Sequence, residues 1–196
     1  NLSRAFLTKA TLKGAQMQRT NLSFAKMGEA QLSDADLTKA NLSGAFLVKA
    51  KMPRVKLSGA TLTGANLRSA VLWNANLCSA DLQLANLLGA NLMGVNFKWA
   101  NLYGAELNSA KLFGAQLTGV SLRRAHLTGV NLCGVDLSGV NVSEAKLMGA
   151  NLEGSNLAGA NFSAAQLRGV KLAGANLTGA KLRGSCLIGA NLNWAK

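Results

Sequence analysis

Apolar and polar positions follow one another along this chain with a period of five that runs from end to end without an insertion. Every residue at positions 2, 7, 12 and onward to 192 is apolar. Of these 39 places, 33 hold Leu, and the others hold Met17, Met27, Met52, Phe97, Val142 and Phe162. Three residues after each of them comes a small side chain: 29 Ala, seven Val, and Thr20, Ser155 and Ser185. Of the 21 glycines, 20 stand just before that small residue. A fixed period this short marks a solenoid, in which each unit buries its apolar face only by stacking on its neighbours. A helix is excluded, because a period of five advances about 72° per residue against about 100° for a helix. The glycines add to this, since each costs about 1 kcal/mol in a helix interior. Neither heptads nor plain alternation fits the spacing.

The five-residue word predicts a short straight side followed by a corner. In the frequent word A-N-L-x-G, the small residue and the Leu are two apart. On an extended segment such residues share a face, so both point inward while Asn and x point outward. Gly then occupies the third place of a turn running Leu-x-Gly-Ala, where a type II turn needs positive φ. Where Arg4, Lys9, Arg19, Glu29, Asp34 and Lys39 replace that Gly, a different corner geometry is expected. The same departure is expected at Arg124, Glu144 and Ala164.

These words resemble the pentapeptide-repeat family, whose consensus is A-(D/N)-L-x-x. Asn or Asp holds the second place in 19 of the 39 words, and the match extends over residues 1–195. The resemblance implies an all-β fold, a right-handed quadrilateral β-helix with four words to a coil, and hence about ten coils of 20 residues. With backbone ladders spaced about 4.8 Å apart, the rod should be about 45–50 Å long. The chain carries an independent trace of the 20-residue coil. Between residues 114 and 189 the turn Gly is missing only at Arg124, Glu144 and Ala164, each one coil from the next. Residues 1–196 are therefore expected to form a single β-helix, read as the repeat region of a longer protein.

Little in the chain suggests catalysis. His126 is the one histidine, at an outward place with no acid in its own word, and the eight acids are scattered, with Asp34 and Asp36 the closest pair. A general base needs a hydrogen-bonded partner and a pocket. No phosphate-binding Gly-rich motif is present. Cys78, Cys133 and Cys186 fall on different sides of the coil and lack metal-ligand spacing. The expectation is a protein that is not an enzyme, with no cofactor, metal or small-molecule substrate. Reduced thiols suit a cytoplasmic location. No apolar run is long enough for a transmembrane helix. Asn76 and Asn96, like Asn156 and Asn176, lie one coil apart and should form side-chain amide ladders of a structural kind.

Charge changes the picture more. Residues 1–68 carry 11 Lys and Arg against 3 acids, residues 69–122 carry 2 against 2, and residues 123–196 carry 8 against 3. Two basic ends, +8 and +5, thus flank a neutral waist within the total of +13. On a 20-residue coil, Pro53, Trp73, Met93, Phe113 and Cys133 form one outward column across that waist, with Val71 beside it. Depletion of charge around aromatic residues and Met is the anatomy of an interface core. The column is the candidate contact surface for another protein or another copy of the chain. Lys49, Lys51, Arg54, Lys56, Arg123, Arg124, Lys181 and Arg183 are the candidates for steering a partner from the basic ends. The alternative is a basic rod that binds a polyanion, either nucleic acid or an anionic membrane surface. Some pentapeptide-repeat proteins protect DNA gyrase by resembling DNA. That role needs an acidic surface, and a chain of net charge +13 does not suit it.

Overall fold

The computed structural model describes residues 1–196. Almost every outward residue at the head of a word pairs in parallel with the residue 20 further on, as in Phe6 with Lys26, Asn41 with Thr61 and Asn156 with Asn176. The chain thus winds into coils of four words. Taking Asn1 as origin, the first side of the coil holds residues 1–5, 21–25 and so on. The second side holds 6–10, the third 11–15 and the fourth 16–20, each repeating every 20. In an intact word three hydrogen bonds tie it to neighbouring coils, and a fourth closes its corner. In the word around Leu42, Asn41 N donates to Thr20 O (3.0 Å), Leu42 N to Thr61 O (2.7 Å), Gly44 N to Thr63 O (2.9 Å), and Ala45 N back to Leu42 O (2.9 Å).

The inward assignment of both apolar positions holds. From Met17 to Ala175 the Leu and Ala columns form one continuous core, nearly all of it sealed from solvent. Ser155 occupies a small inward place and is buried, with its hydroxyl donating to Leu152 O at 2.5 Å. The Asn residues at the heads of words do more than form ladders. Their side-chain oxygens accept the backbone N–H two residues on, as in Asn21 with Ser23 N (3.0 Å) and Asn161 with Ser163 N (3.0 Å). This Asx-type bond orients each side before its corner. The expected ladders also form, at 3.2 Å between Asn96 and Asn76 and at 3.2 Å between Asn176 and Asn156.

The expected difference between glycine and non-glycine corners is corrected by the structure. Arg4, Lys9, Arg19, Glu29, Asp34 and Lys39 have φ of 56–60°, and Arg124, Glu144 and Ala164 have φ of 57–61°, close to the 61–71° of the glycines. Every corner is thus left-handed at its third place. With negative φ before it and the bond from the small residue to Leu O, the geometry is that of a type II turn throughout. The reason is closure. A coil that departed at one corner would lose register with the coils on both sides, so the stacked ladder overrides a local cost of about 1–2 kcal/mol per non-glycine residue. A left-handed side chain points along the rod and covers the next corner. Phe24 lies over Gly44 and Trp99 over Gly119, where an added Cβ would stand 2.5 Å and 2.2 Å from the rings.

The ladder is interrupted once. Between the coil of residues 101–120 and the coil that follows, eight backbone donors lack the partner that their equivalents have elsewhere: Ser109, Leu112, Gly114, Leu117, Gly119, Asn131, Asp136 and Asn141. The bridges Lys111–Asn131 and Gln116–Asp136 are missing with them. The opening lies mainly on the third and fourth sides. On the opposite sides, Tyr103 Oη accepts from Arg124 (2.7 Å), Glu106 contacts His126, and Asn108 Oδ1 accepts from Thr128 N (2.8 Å). The core stays closed behind the seam, with Leu112 and Leu117 each only 3% exposed.

Crowding accounts for the seam. Four of the five words ending at residues 120–140 carry Val in the small inward place, and Val120 stacks one coil below Val140. On the fourth side the closing bond is 3.1 Å at Val120 and Val140 and 2.9–3.0 Å at the Ala corners. Val55 and Val95 have Ala above and below, and their ladder survives. Val130 and Val135 likewise have Ala or Ser one coil above and below, so the crowding falls on the directly stacked pair Val120 and Val140, and overpacking of this kind displaces backbone.

Candidate functional site

The structure draws part of the predicted column into one groove. Trp73, Met93 and Phe113 line a depression of about 400 Å³, floored by Asn74, Asn91, Gly94 and Gly114. Phe113 is 76% exposed and stands at the edge of the depression, whereas Met93 is 40% exposed and Trp73 is half-buried. Val71 is half-buried and pairs with Asn91 beside the groove. Pro53 and Cys133 share the column but do not line the groove. A second depression, of about 320 Å³, continues from Met93 and Phe113 across the seam to Gly129 and Asn131. The apolar surface therefore crosses the seam.

The steering candidates fall into two groups. Arg54 grips Asp34 through two hydrogen bonds of 2.7 Å and stacks its guanidinium 5.0 Å from the Trp73 ring centre. This holds Trp73 in place at one end of the groove. The same hydrogen bond lowers the Asp34 carboxyl below its usual pKa. Arg123 and Arg124 share Glu144, at 2.7 Å and 2.6 Å, and Arg124 followed by Arg123 lowers the Glu144 pKa by hydrogen bonding. Lys56 lies 4.0 Å from Asp36. Lys49, Lys51, Lys181 and Arg183 have no carboxylate within 4.0 Å. These four are among the many uncompensated positive charges at the ends.

Asp34 and Asp36 are drawn to different partners: Asp34 to Arg54, and Asp36 to the Thr38 backbone N–H at 3.0 Å. His126 is not the isolated imidazole that its own word suggests. Its Nδ1 contacts Glu106 Oε1, one coil away. The spacing of 20 was the signal for that pair. Sequence reasoning also missed a second aromatic groove, of about 340 Å³, formed by Phe24, Phe46, Thr8, Lys26 and Gly44. Phe24 occupies a corner and Phe46 the head of a word, so a search along single columns passes over them.

The pentapeptide-repeat family model matches overlapping segments that run from residues 1–30 to residues 160–196 and together span the chain. No curated protein matches it. Among solved structures, the chain is similar to HetL, a pentapeptide-repeat protein involved in heterocyst differentiation regulation in the cyanobacterium Nostoc sp. strain PCC 7120. Identity is 33%, covering 97% of this chain and 88% of that one, with a TM-score of 0.51. It also resembles a trypsin-treated form of QnrB1, a plasmid-mediated fluoroquinolone resistance protein, at 20% identity, 91% coverage of each chain and a TM-score of 0.65. The second likeness is one of fold alone.

Proposed function

The chain belongs to the pentapeptide-repeat family, a right-handed quadrilateral β-helix, and from that premise we propose that it is a non-enzymatic scaffold whose waist is a protein-contact surface. The observation that carries this reading is the groove of Trp73, Met93 and Phe113 in the one third of the rod without net charge. The occupant is a second copy of the chain. Two rods of net charge +13 repel at either end and can approach only where the charge vanishes. The waist offers a knob, Phe113, beside a hole, the Trp73–Met93 depression. A knob and a hole side by side satisfy the self-complementarity that a two-fold interface requires. Free Lys49, Lys51, Lys181 and Arg183 then fix the angle at which the copies cross by mutual repulsion.

Sedimentation of the purified protein tests the reading. The parent should form dimers, and a Trp73→Ser, Phe113→Ser variant should not. A parent that stays monomeric at all accessible concentrations removes the copy as occupant. A heterologous protein partner would then have to meet the same groove.

A further inference from the structure

The corner between the first and second sides, apart from the waist groove, carries two aromatic rings packed against glycine. Phe24 lies against Gly44, where a Cβ would come within 2.5 Å of the ring. Phe46 lies against Gly28, whose added Cβ would be 3.7 Å from the ring. Gly28 is the one glycine of 21 that stands outside the turn position. Both rings remain well exposed beside the glycines they touch, 59% for Phe24 and 48% for Phe46. Lys26 stands in the groove between them, its Nζ 4.6 Å from the Phe6 ring centre. Arg4, Lys9, Lys49 and Arg68 lie on the same two sides, and none has a carboxylate within 4.0 Å. Of the three acids in residues 1–68, Asp34 and Asp36 are on the other two sides, which leaves Glu29 alone here.

We propose that this corner binds single-stranded nucleic acid, with bases stacked on the exposed rings of Phe24 and Phe46 and phosphates held by Lys26 and Lys49. Exposed aromatic rings beside cations without a carboxylate partner are the two elements of a sequence-tolerant single-strand site, one for bases and one for the backbone. The composition of the groove favours bases over a membrane: the two Phe are the only apolar side chains that line it, beside Thr8 and Lys26, whereas a membrane anchor gains by burying a broad apolar face in the lipid boundary. Duplex DNA hides its base faces and cannot use the rings. The surface is separate from the waist, so this proposal and the dimer reading stand or fall independently.

The test is fluorescence anisotropy with a labelled oligothymidylate, compared with inorganic polyphosphate, which has the charge without the bases. The oligothymidylate should bind more tightly than polyphosphate. Phe24→Ala with Phe46→Ala should weaken it by about tenfold or more and leave polyphosphate binding unchanged. A Phe24→Leu, Phe46→Leu pair keeps apolar volume without a π face and should show the same loss, which separates stacking from any effect on folding. Lys26→Ala with Lys49→Ala should weaken both ligands and reduce the slope of log affinity against log salt by roughly 1.4. Equal binding of the two polyanions, unaffected by the Phe changes, overturns the proposal. So does loss of binding to phosphatidylserine vesicles, without oligothymidylate binding, as the effect of the Phe changes.

Discussion

Replacing Val120, Val135 and Val140 together with Ala should stabilise the rod, although it removes apolar bulk from the core. The eight donors without ladder partners at the seam represent about 8 kcal/mol of missing pairing, at a net value of about 1 kcal/mol per hydrogen bond. The three substitutions delete six methyl groups, a loss of about 5 kcal/mol at about 0.8 kcal/mol each. If crowding holds the coils apart, closing the seam wins by about 3 kcal/mol, which in a domain of this size raises Tm by about 6–12 °C. Hydrogen exchange supplies the second readout. In the parent, Leu112, Gly114, Leu117, Gly119 and Asn131 should exchange far faster than Leu72, Leu77 and Asn91, which are paired in the intact ladder. In the triple variant they should become protected. Val55→Ala is the control: its ladder is already intact, so it should only lose stability, by about 1.6 kcal/mol. A triple variant that melts below the parent, with the same amides still exchanging fast, would refute crowding as the cause of the seam.

Two further outcomes follow from the corners and the ion pairs. Gly119→Ala and Gly129→Ala place Ala at nearly the same φ, 68° and 67°, but only the first meets a ring. Both should lose about 1 kcal/mol or somewhat more from backbone strain, and the first should lose more while shifting Trp99 fluorescence; equal losses would mean that the Trp99 ring does not rest on that corner. Asp34, Asp36, Asp136 and Glu144 all have pKa values lowered by hydrogen bonds, chiefly from Arg54, Thr38, Ser138 and Arg124 respectively. A lowered folded-state pKa gives stability that is complete above the unfolded value, about 4, and is lost as pH falls through the folded value. Melting curves should therefore be flat from pH 7 to about 5 and decline below about 4; a decline that begins near pH 6 would contradict this assignment.

The words of the chain state the core almost completely, because inward and outward places repeat with the Leu and the small residue. The waist column was equally legible, since Trp73, Met93 and Phe113 stand 20 apart. What escaped was everything that depends on a second coil. Arg4 and Glu144 have poor left-handed propensity, yet their corners are dictated by the coils they join. The seven Val are unremarkable as composition and become a seam only where Val120 and Val140 stack. Glu106 and His126 are distant in sequence and touch in the coil. Phe24 and Phe46 stand in different columns, and only the bare backbone of Gly44 and Gly28 brings their rings down beside one groove.

The contact role of the waist rests most directly on sedimentation velocity of the parent against the Trp73→Ser, Phe113→Ser variant. Neither change touches an inward position, so both proteins should fold to the same β-helix. If the two side chains are anchors, their loss costs about 2 kcal/mol or more, and dimer dissociation should shift by about thirtyfold or more toward the monomer. Because the contact is apolar and the rods repel elsewhere, raising the salt should strengthen the parent dimer. A parent and variant that sediment alike at every concentration and salt would contradict the waist as a contact surface.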